Sequence, residues 1–239
     1  MSGILVVSPH PDDDAIGCGG AIARCADRGV GVSVAYVTDG AASHPGSKRF
    51  PPASIRALRE AEAIAALRLL GVESAPIFFR LPDGRLSDLD REHREFAVQS
   101  LERTLRASAC EVVVAPWPGE PHPDHAATAS LVGAALRRIA KPPALLWYSV
   151  WPGRPADRPR PGTPSVTIRL SPKERARKRS AIMAHVSQTT RLIDDDPDGF
   201  CAPANVIEQW LRPQERYYAA TVDATRRFSG LVQPGTHTT

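Results

Sequence analysis

Residues 4–14 read Ile4-Leu5-Val6-Val7-Ser8-Pro9-His10-Pro11-Asp12-Asp13-Asp14, a short apolar run that gives way to a histidine and three consecutive carboxylates. The run reads as a strand, too short for a core helix and bounded by turn residues. A second passage repeats the pattern: Val112 to Ala115 is apolar and is followed by His122-Pro123-Asp124-His125. Each passage puts imidazole and carboxylate within two or three positions of one another, beyond a strand's carboxyl end. Two strand ends can therefore converge on one ion.

Working outward, short apolar runs alternate with longer segments of helical periodicity. Ile4–Val7, Val32–Val37, Ile77–Phe79, Val112–Ala115 and Ala144–Tyr148 read as strands. Gly20–Asp27, Ala53–Leu70, Arg91–Arg106 and Ala126–Ile139 read as the helices between them. Strand and helix in turn predict an α/β fold, a Rossmann-like open and mostly parallel sheet with helices on both faces. Ligands of such sheets bind beyond the carboxyl ends of the strands, where strand order reverses. The first and fourth strands are neighbours at that point, so the fold predicts a metal site at their carboxyl ends.

The alternation weakens after Tyr148. Residues 152–164 hold too many prolines for a helix or a central strand and read as an irregular connector, with a lid over the site as the alternative. Val166–Leu170 reads as a further strand, and Pro172–Ala184 as a helix capped by Ser171 with proline in its first turn. Residues 1–228 are expected to form a single domain and 229–239 a disordered polar tail.

A chain of 239 residues, 42% of them apolar, can bury the core of one α/β domain. The N-terminal apolar run is too short for a signal peptide and no 18-residue apolar stretch is present, so the expectation is a soluble, cytoplasmic protein with no membrane span. Four cysteines, Cys18, Cys25, Cys110 and Cys201, form no C-x-x-C pair and read as free thiols. The net charge of +4 is modest. Its densest run, Lys173 to Arg179, lacks interleaved aromatics and reads as a solvated helix face, so nucleic acid is not an expected partner.

Catalytic zinc takes three protein ligands from histidine nitrogen and carboxylate oxygen and keeps a fourth position for water. His10, Asp13 and His125 supply that set. Other divalent ions accept the same donors. Asp12, next to a ligand but directed elsewhere, is the candidate general base. His122 can polarise or protonate the substrate, with Asp124 holding its imidazole in one orientation. Helix capping is the structural alternative for Asp124.

These residues resemble the LmbE-like or PIG-L superfamily of zinc-dependent deacetylases acting on N-acetylated amino sugars. Its signature reads here as Ser8 to Gly20, with His10-Pro11-Asp12-Asp13-Asp14 and Gly17-Cys18-Gly19-Gly20, and as His122 to His125 about a hundred residues later. Thr38-Asp39-Gly40, Arg59-x-x-Glu62, Leu81-Pro82-Asp83-Gly84 and His185-x-Ser187-Gln188 are also similar, so the resemblance spans about Gly3 to Gln188. It implies the same ligands, the same base and the same role for His122. Asp14 stands where glutamate is commoner and is expected behind the ligands; Glu120 stands where many relatives carry aspartate. The resemblance implies removal of the acetyl group from an N-acetylated sugar or glycoconjugate. Arg59, Asp83, His44 and Trp117 are the candidates for holding that substrate.

Gly17-Cys18-Gly19-Gly20 approaches a dinucleotide fingerprint, but Ile22 replaces its third glycine and carboxylates precede it where a pyrophosphate would be repelled. The glycines are expected to permit close helix packing, and Cys18 to pack as a small buried residue. His185 either lines the pocket or ends a helix, and His93 and His237 read as exposed. Three alternatives stand beside the deacetylase: an amidase for another acyl-amine such as a thiol conjugate, a nucleotide-binding oxidoreductase, and a non-catalytic binding module.

Overall fold

The computed structural model describes residues 3–151 and 159–232. Its strands are β1 (Gly3–Ser8), β2 (Gly31–Thr38), β3 (Ile77–Leu81), β4 (Val112–Pro116), β5 (Ala144–Tyr148), β6 (Ser165–Arg169) and β7 (Gln214–Ala219). The helices are α1 (Asp13–Asp27), α2 (Pro52–Leu69), α3 (Arg91–Ser108), α4 (Pro123–Leu136), α5 (Pro172–Ala184), α6 (Val186–Thr189), α7 (Ala204–Trp210) and α8 (Val222–Val232). One seven-stranded sheet runs β3-β2-β1-β4-β5-β7-β6. Its first five strands are parallel, and β7 lies antiparallel to both β5 and β6.

Successive strand residues point to opposite faces, and both faces are covered, which is why β1 and β4 are apolar throughout rather than alternating. Ile4, Val6, Val112 and Val114 join a core with residues of α1, α2, α5 and α8. Leu5, Val7, Val113 and Ala115 join the opposite core with α3 and α4. No helix among the described residues is long and apolar enough to cross a membrane.

Both motif helices begin earlier than periodicity suggests. α1 starts at Asp13 rather than Gly20, and α4 at Pro123 rather than Ala126, so the motif residues themselves form the first turns. Glycine weakens a helix interior, but here a side chain would not fit. A Cβ on Gly17 would lie 2.1 Å from the Tyr148 ring, and one on Gly20 2.4 Å from Leu170. The Glu215 carboxylate of β7 accepts from the Gly20 and Ala21 amides at 2.8 and 2.9 Å, tying α1 to the antiparallel edge of the sheet.

The C-terminal third differs most from expectation. β7 separates β6 from the parallel strands, and neither it nor α7 and α8 follows from the alternating pattern. Lys178, read as part of a solvated face, is buried and pairs with Glu215 at 2.7 Å, while Lys173 and Arg177 bond Asp27. α5 carries the expected Ser171 cap, completed to a capping box by Glu174. Residues 159–164 are neither helix nor strand, and 152–158, the rest of the proline-rich connector, lie outside the described residues. α8 carries helix through Ser229 to Val232, past the start expected for the tail; the remainder, including His237, lies outside the described residues.

Candidate metal centre

β1 and β4 are paired, so the loops that leave their carboxyl ends face each other. After β1 the chain turns sharply: Ser8 Oγ donates to the His10 carbonyl at 2.8 Å, and Asp12 adopts φ 153°, a region that disfavours any side chain. Such a conformation costs on the order of 1–3 kcal/mol and persists where its surroundings enforce it. Arg59, buried on α2, encloses this turn by donating at 3.0 Å to the Pro11 carbonyl, the Gly40 carbonyl and Asp12 Oδ2. Arg59 thus stands behind Asp12, and its guanidinium is largely spent there.

Asp13 Oδ2 lies 3.0 Å from His10 Nδ1 and 3.2 Å from His125 Nε2. Ligand atoms about 2.0–2.1 Å from a common tetrahedral centre stand about 3.3–3.4 Å apart. Asp13 bridges the two imidazoles, while among the described residues the donor sets whose atoms all lie within 4.8 Å of one another are His10–His122–His125 and His10–Asp83–Asp124. Each imidazole is also backed by carboxylate on its other nitrogen: His10 Nε2 lies 3.1 Å from Asp83 and 3.2 Å from Asp124, and His125 Nδ1 lies 3.2 Å from Glu120. Partners of this kind fix the tautomer and raise the basicity of ligating histidines. His122 stands within reach as well, since one nitrogen from each of His10, His122 and His125 can be chosen with all three within 4.8 Å of one another.

Electrostatics favours a cation at this place. Burial opposes charge on His10, yet Asp124, Asp13 and Asp83 outweigh it and raise the imidazole well above its ordinary pKa. Burial likewise opposes charge on His125, and Asp13 with Glu120 still raises it to about 9. Burial works against ionised Asp13, but His125 and His10 hold it well below the usual carboxylate range. Four carboxylates around two imidazoles leave excess negative charge unless protons or a metal ion compensate it. Asp12 differs: burial lifts it to about 7, with Arg59 opposing and Asp13 adding to the rise.

His122 caps α4, accepting the Asp124 amide on Nδ1 at 3.2 Å. That bond leaves the proton on Nε2. Burial and the neighbouring His10 and His125 imidazoles hold its pKa below the ordinary value, which favours the neutral ring. The Asp124 carboxylate does not orient His122 and does not cap the helix, contrary to both expectations. It accepts from the Gly84 amide at 2.7 Å and the Leu86 amide at 3.0 Å, and faces His10. The loop after β3 supplies those amides, and through them Asp124 is fixed as a partner of the first motif.

The remaining candidates divide. Asp83 belongs to the centre, accepting from the Ala42 amide as well as facing His10. Asp14 is fully buried, with its carboxylate set against the buried Tyr36 hydroxyl. It makes no hydrogen bond to the ligand residues. His44 is buried against Gly199 and bonds Ser43. Trp117 packs edge-on against Trp147 and lines a cavity of about 700 Å³ on the Glu120 side of the centre. His185 is buried with neither ring nitrogen partnered, and His93 is exposed.

The supporting role of Glu120 was not legible as such. Its carboxylate accepts from Ser149 Oγ and from the Val150 and Trp151 amides, which explains its fixed position beside His125. The sequence marks it only as a carboxylate five residues before a ligand candidate, at a position where many relatives carry aspartate. Glu62 accepts from Ser187 amide and hydroxyl at 2.7 and 2.6 Å, so two of the family-like fragments meet in space. The glycines of α1 are covered by Tyr148, Leu170 and Lys178, which leaves no room for a pyrophosphate.

A family model described as PIG-L: GlcNAc-PI de-N-acetylase matches residues 5–136, from β1 through α4 and both motifs. The chain belongs to the PIG-L family. Among curated relatives, the probable N-acetyl-alpha-D-glucosaminyl L-malate deacetylase 2 of Bacillus cereus is 28% identical over 197 residues, covering 80% of this chain and 86% of its own. The 1D-myo-inositol 2-acetamido-2-deoxy-alpha-D-glucopyranoside deacetylase of Mycobacteroides abscessus is 29% identical over 167 residues, 62% of this chain and 60% of its own. The N,N'-diacetylchitobiose deacetylase of Pyrococcus horikoshii superposes with a TM-score of 0.62 at 24% identity, covering 87% of this chain and 74% of that one, which shows the shared fold. The PIG-L match ends with α4, so the antiparallel edge of the sheet falls outside it.

Proposed function

We propose that this PIG-L protein is a metal-dependent N-deacetylase that hydrolyses the acetamide of an N-acetylglucosaminyl conjugate. The observation that carries the reading is the convergence of His10, Asp13 and His125, with Asp13 in contact with both imidazoles, beside the Asp12 carboxylate and the His122 imidazole at the same centre. His10, Asp13 and His125 would hold a divalent ion, zinc by the donor set. Such an ion supplies a Lewis acid and acidifies water.

Asp12 takes a proton from the attacking water; its raised pKa suits a group that must both accept and return a proton near neutrality. Arg59 keeps that carboxylate aimed, and the strained turn holds it clear of Asp13. His122 donates Nε2–H to the acyl oxygen as it gains charge, an oxyanion contact fixed in advance by the α4 amide on Nδ1. Asp124, Asp83 and Glu120 hold the ligand imidazoles in their tautomers. When the C–N bond breaks, Asp12 returns its proton to the leaving amine, and acetate and free amino sugar result.

The curated relatives act, by their names, on glucosaminyl malate and glucosaminyl inositol conjugates. This supports a substrate with N-acetylglucosamine joined to a small polar aglycone. Incubation of the metal-loaded protein with N-acetylglucosamine in free, malate-linked, inositol-linked and nucleotide-linked forms, read by mass spectrometry, is expected to show loss of one acetyl group from a conjugate. A panel in which every compound stays intact contradicts the reading.

A further inference from the structure

Asp12 lines one side of a recess of about 10 Å³. Its walls include Ile16 of α1, Ile182 of α5, Phe200 of the loop before α7, Trp210 of α7, and His185. The volume is that of one water-sized body, since a cavity needs about 10–15 Å³ to hold one. Gln188 and Thr189 join Asp12 and His185 in the lining, but the wall surface facing the space is mostly apolar. His185 is 1% exposed, has no hydrogen-bond partner on either ring nitrogen, and is kept neutral by burial and by Arg59, which lower its pKa to about 3.

Three groups surround the carbon of a bound amide. The oxygen turns toward His122 and the ligand residues, and the nitrogen, joined to a bulky sugar, must lie toward the open side while staying within proton-transfer reach of Asp12. The third substituent is left facing Asp12 and whatever lies beside it. Resting on the deacetylase reading above, we infer that this recess receives the acyl methyl group and that Ile16, Phe200 and Trp210 limit the acyl group to acetyl.

The closed end of the recess is a partition. Ile16 and Trp210 also line the cavity of about 700 Å³ that carries Trp117, so these two side chains stand between a methyl-sized space and a large one. Trp210 is fixed there. Its indole Nε1 donates to the Val150 carbonyl at 3.0 Å, and its ring packs at 70° to Trp151 with centroids 5.7 Å apart. The Phe200 amide donates to the Ser43 carbonyl and the Ala202 amide to the Gln188 carbonyl, both at 2.8 Å, which pins the loop over the recess. A butyryl chain would have to displace a hydrogen-bonded tryptophan.

The test is a chain-length series on the zinc-loaded full-length protein, comparing N-acetyl, N-propionyl and N-butyryl forms of whichever conjugate the wild type deacetylates. One methylene in an apolar pocket changes kcat/KM by about 10–200-fold. Wild type is expected to fall by at least ~10-fold per added methylene. Trp210→Ala and, separately, Ile16→Ala should raise the butyryl-to-acetyl ratio by at least ~10-fold by joining the two spaces. Two variants guard against misfolding of one, and the wild-type series needs neither. Wild-type turnover of acetyl and butyryl substrates within about threefold, under ~1 kcal/mol of barrier, overturns the inference while leaving the deacetylase reading intact. Failure to hydrolyse any chain length sinks that reading, and the inference with it.

Discussion

His10 and His185 are both almost wholly buried, yet they sit in opposite environments. Three carboxylates surround the His10 ring, and its pKa rises well above the ordinary value despite burial. Neither nitrogen of His185 has a partner, and burial lowers it to about 3. The Asp12 turn separates the two. On one side the protein has gathered charge that calls for a cation; on the other it holds a neutral imidazole beside a small recess.

Changes at the boundary itself should have the largest effects. Asp12→Asn keeps the carbonyl oxygen that Arg59 binds but cannot take a proton, so it is expected to lower kcat by about 10²–10⁴ while elemental analysis still finds the ion. Turnover within about threefold of wild type, under ~1 kcal/mol of barrier, would remove Asp12 as the base.

On the charged side, His122→Ala is expected to lose about 10²–10³ in kcat, the usual cost of an oxyanion donor, again with its ion retained. Loss of the ion would instead make His122 a ligand, one that shares the centre with His10 and His125. Glu120→Gln should be milder in chemistry and visible in binding: zinc affinity measured by competition with a chelating dye is expected to weaken by about 10–100-fold. Unchanged affinity would show that the Glu120 contact does not support His125.

The uncharged side makes the smallest prediction, in stability rather than rate. His185 binds its proton near pH 3 when folded and near its ordinary 6.5 when unfolded. Between those values the unfolded chain binds more protons, so stability rises with pH and falls on acidification from 6.5 toward 3. The contribution of one such group is at most about 1.4 kcal/mol per pH unit. Urea unfolding of His185→Leu should show a shallower acid dependence than wild type. An identical slope would mean that His185 is not held neutral by its surroundings.

The same division explains what could be read from sequence. β1, β4 and their motifs are legible because the strands are short apolar runs and the ligands follow within a few positions. Five parallel strands and their order follow from the alternation of elements. β7 does not, because Gln214 to Ala219 (Gln-Glu-Arg-Tyr-Tyr-Ala) holds no apolar run and lies between β5 and β6, with its register to β6 set across a helical excursion. The starts of α1 and α4 were missed because glycine and proline read as breaks, whereas Gly17 and Gly20 are demanded by the Tyr148 and Leu170 side chains packed on them. Glu120 and the true partner of Asp124 were missed for one reason. Their roles are set by amides of other loops, Val150 and Trp151 for the first and Gly84 and Leu86 for the second, which spacing cannot reveal.

The central claim is that this constellation cleaves an acetamide and needs an ion at His10, Asp13 and His125 to do so. It is tested most directly by following acetate release from an N-acetylglucosaminyl conjugate, using protein stripped with chelator and the same protein reloaded with zinc, beside His125→Ala treated alike. The account predicts no acetate from the stripped protein, one acetate per amine from the reloaded wild type, and no recovery by His125→Ala at zinc concentrations that restore the wild type. Equal rates before and after stripping, or full recovery of the variant, would contradict it.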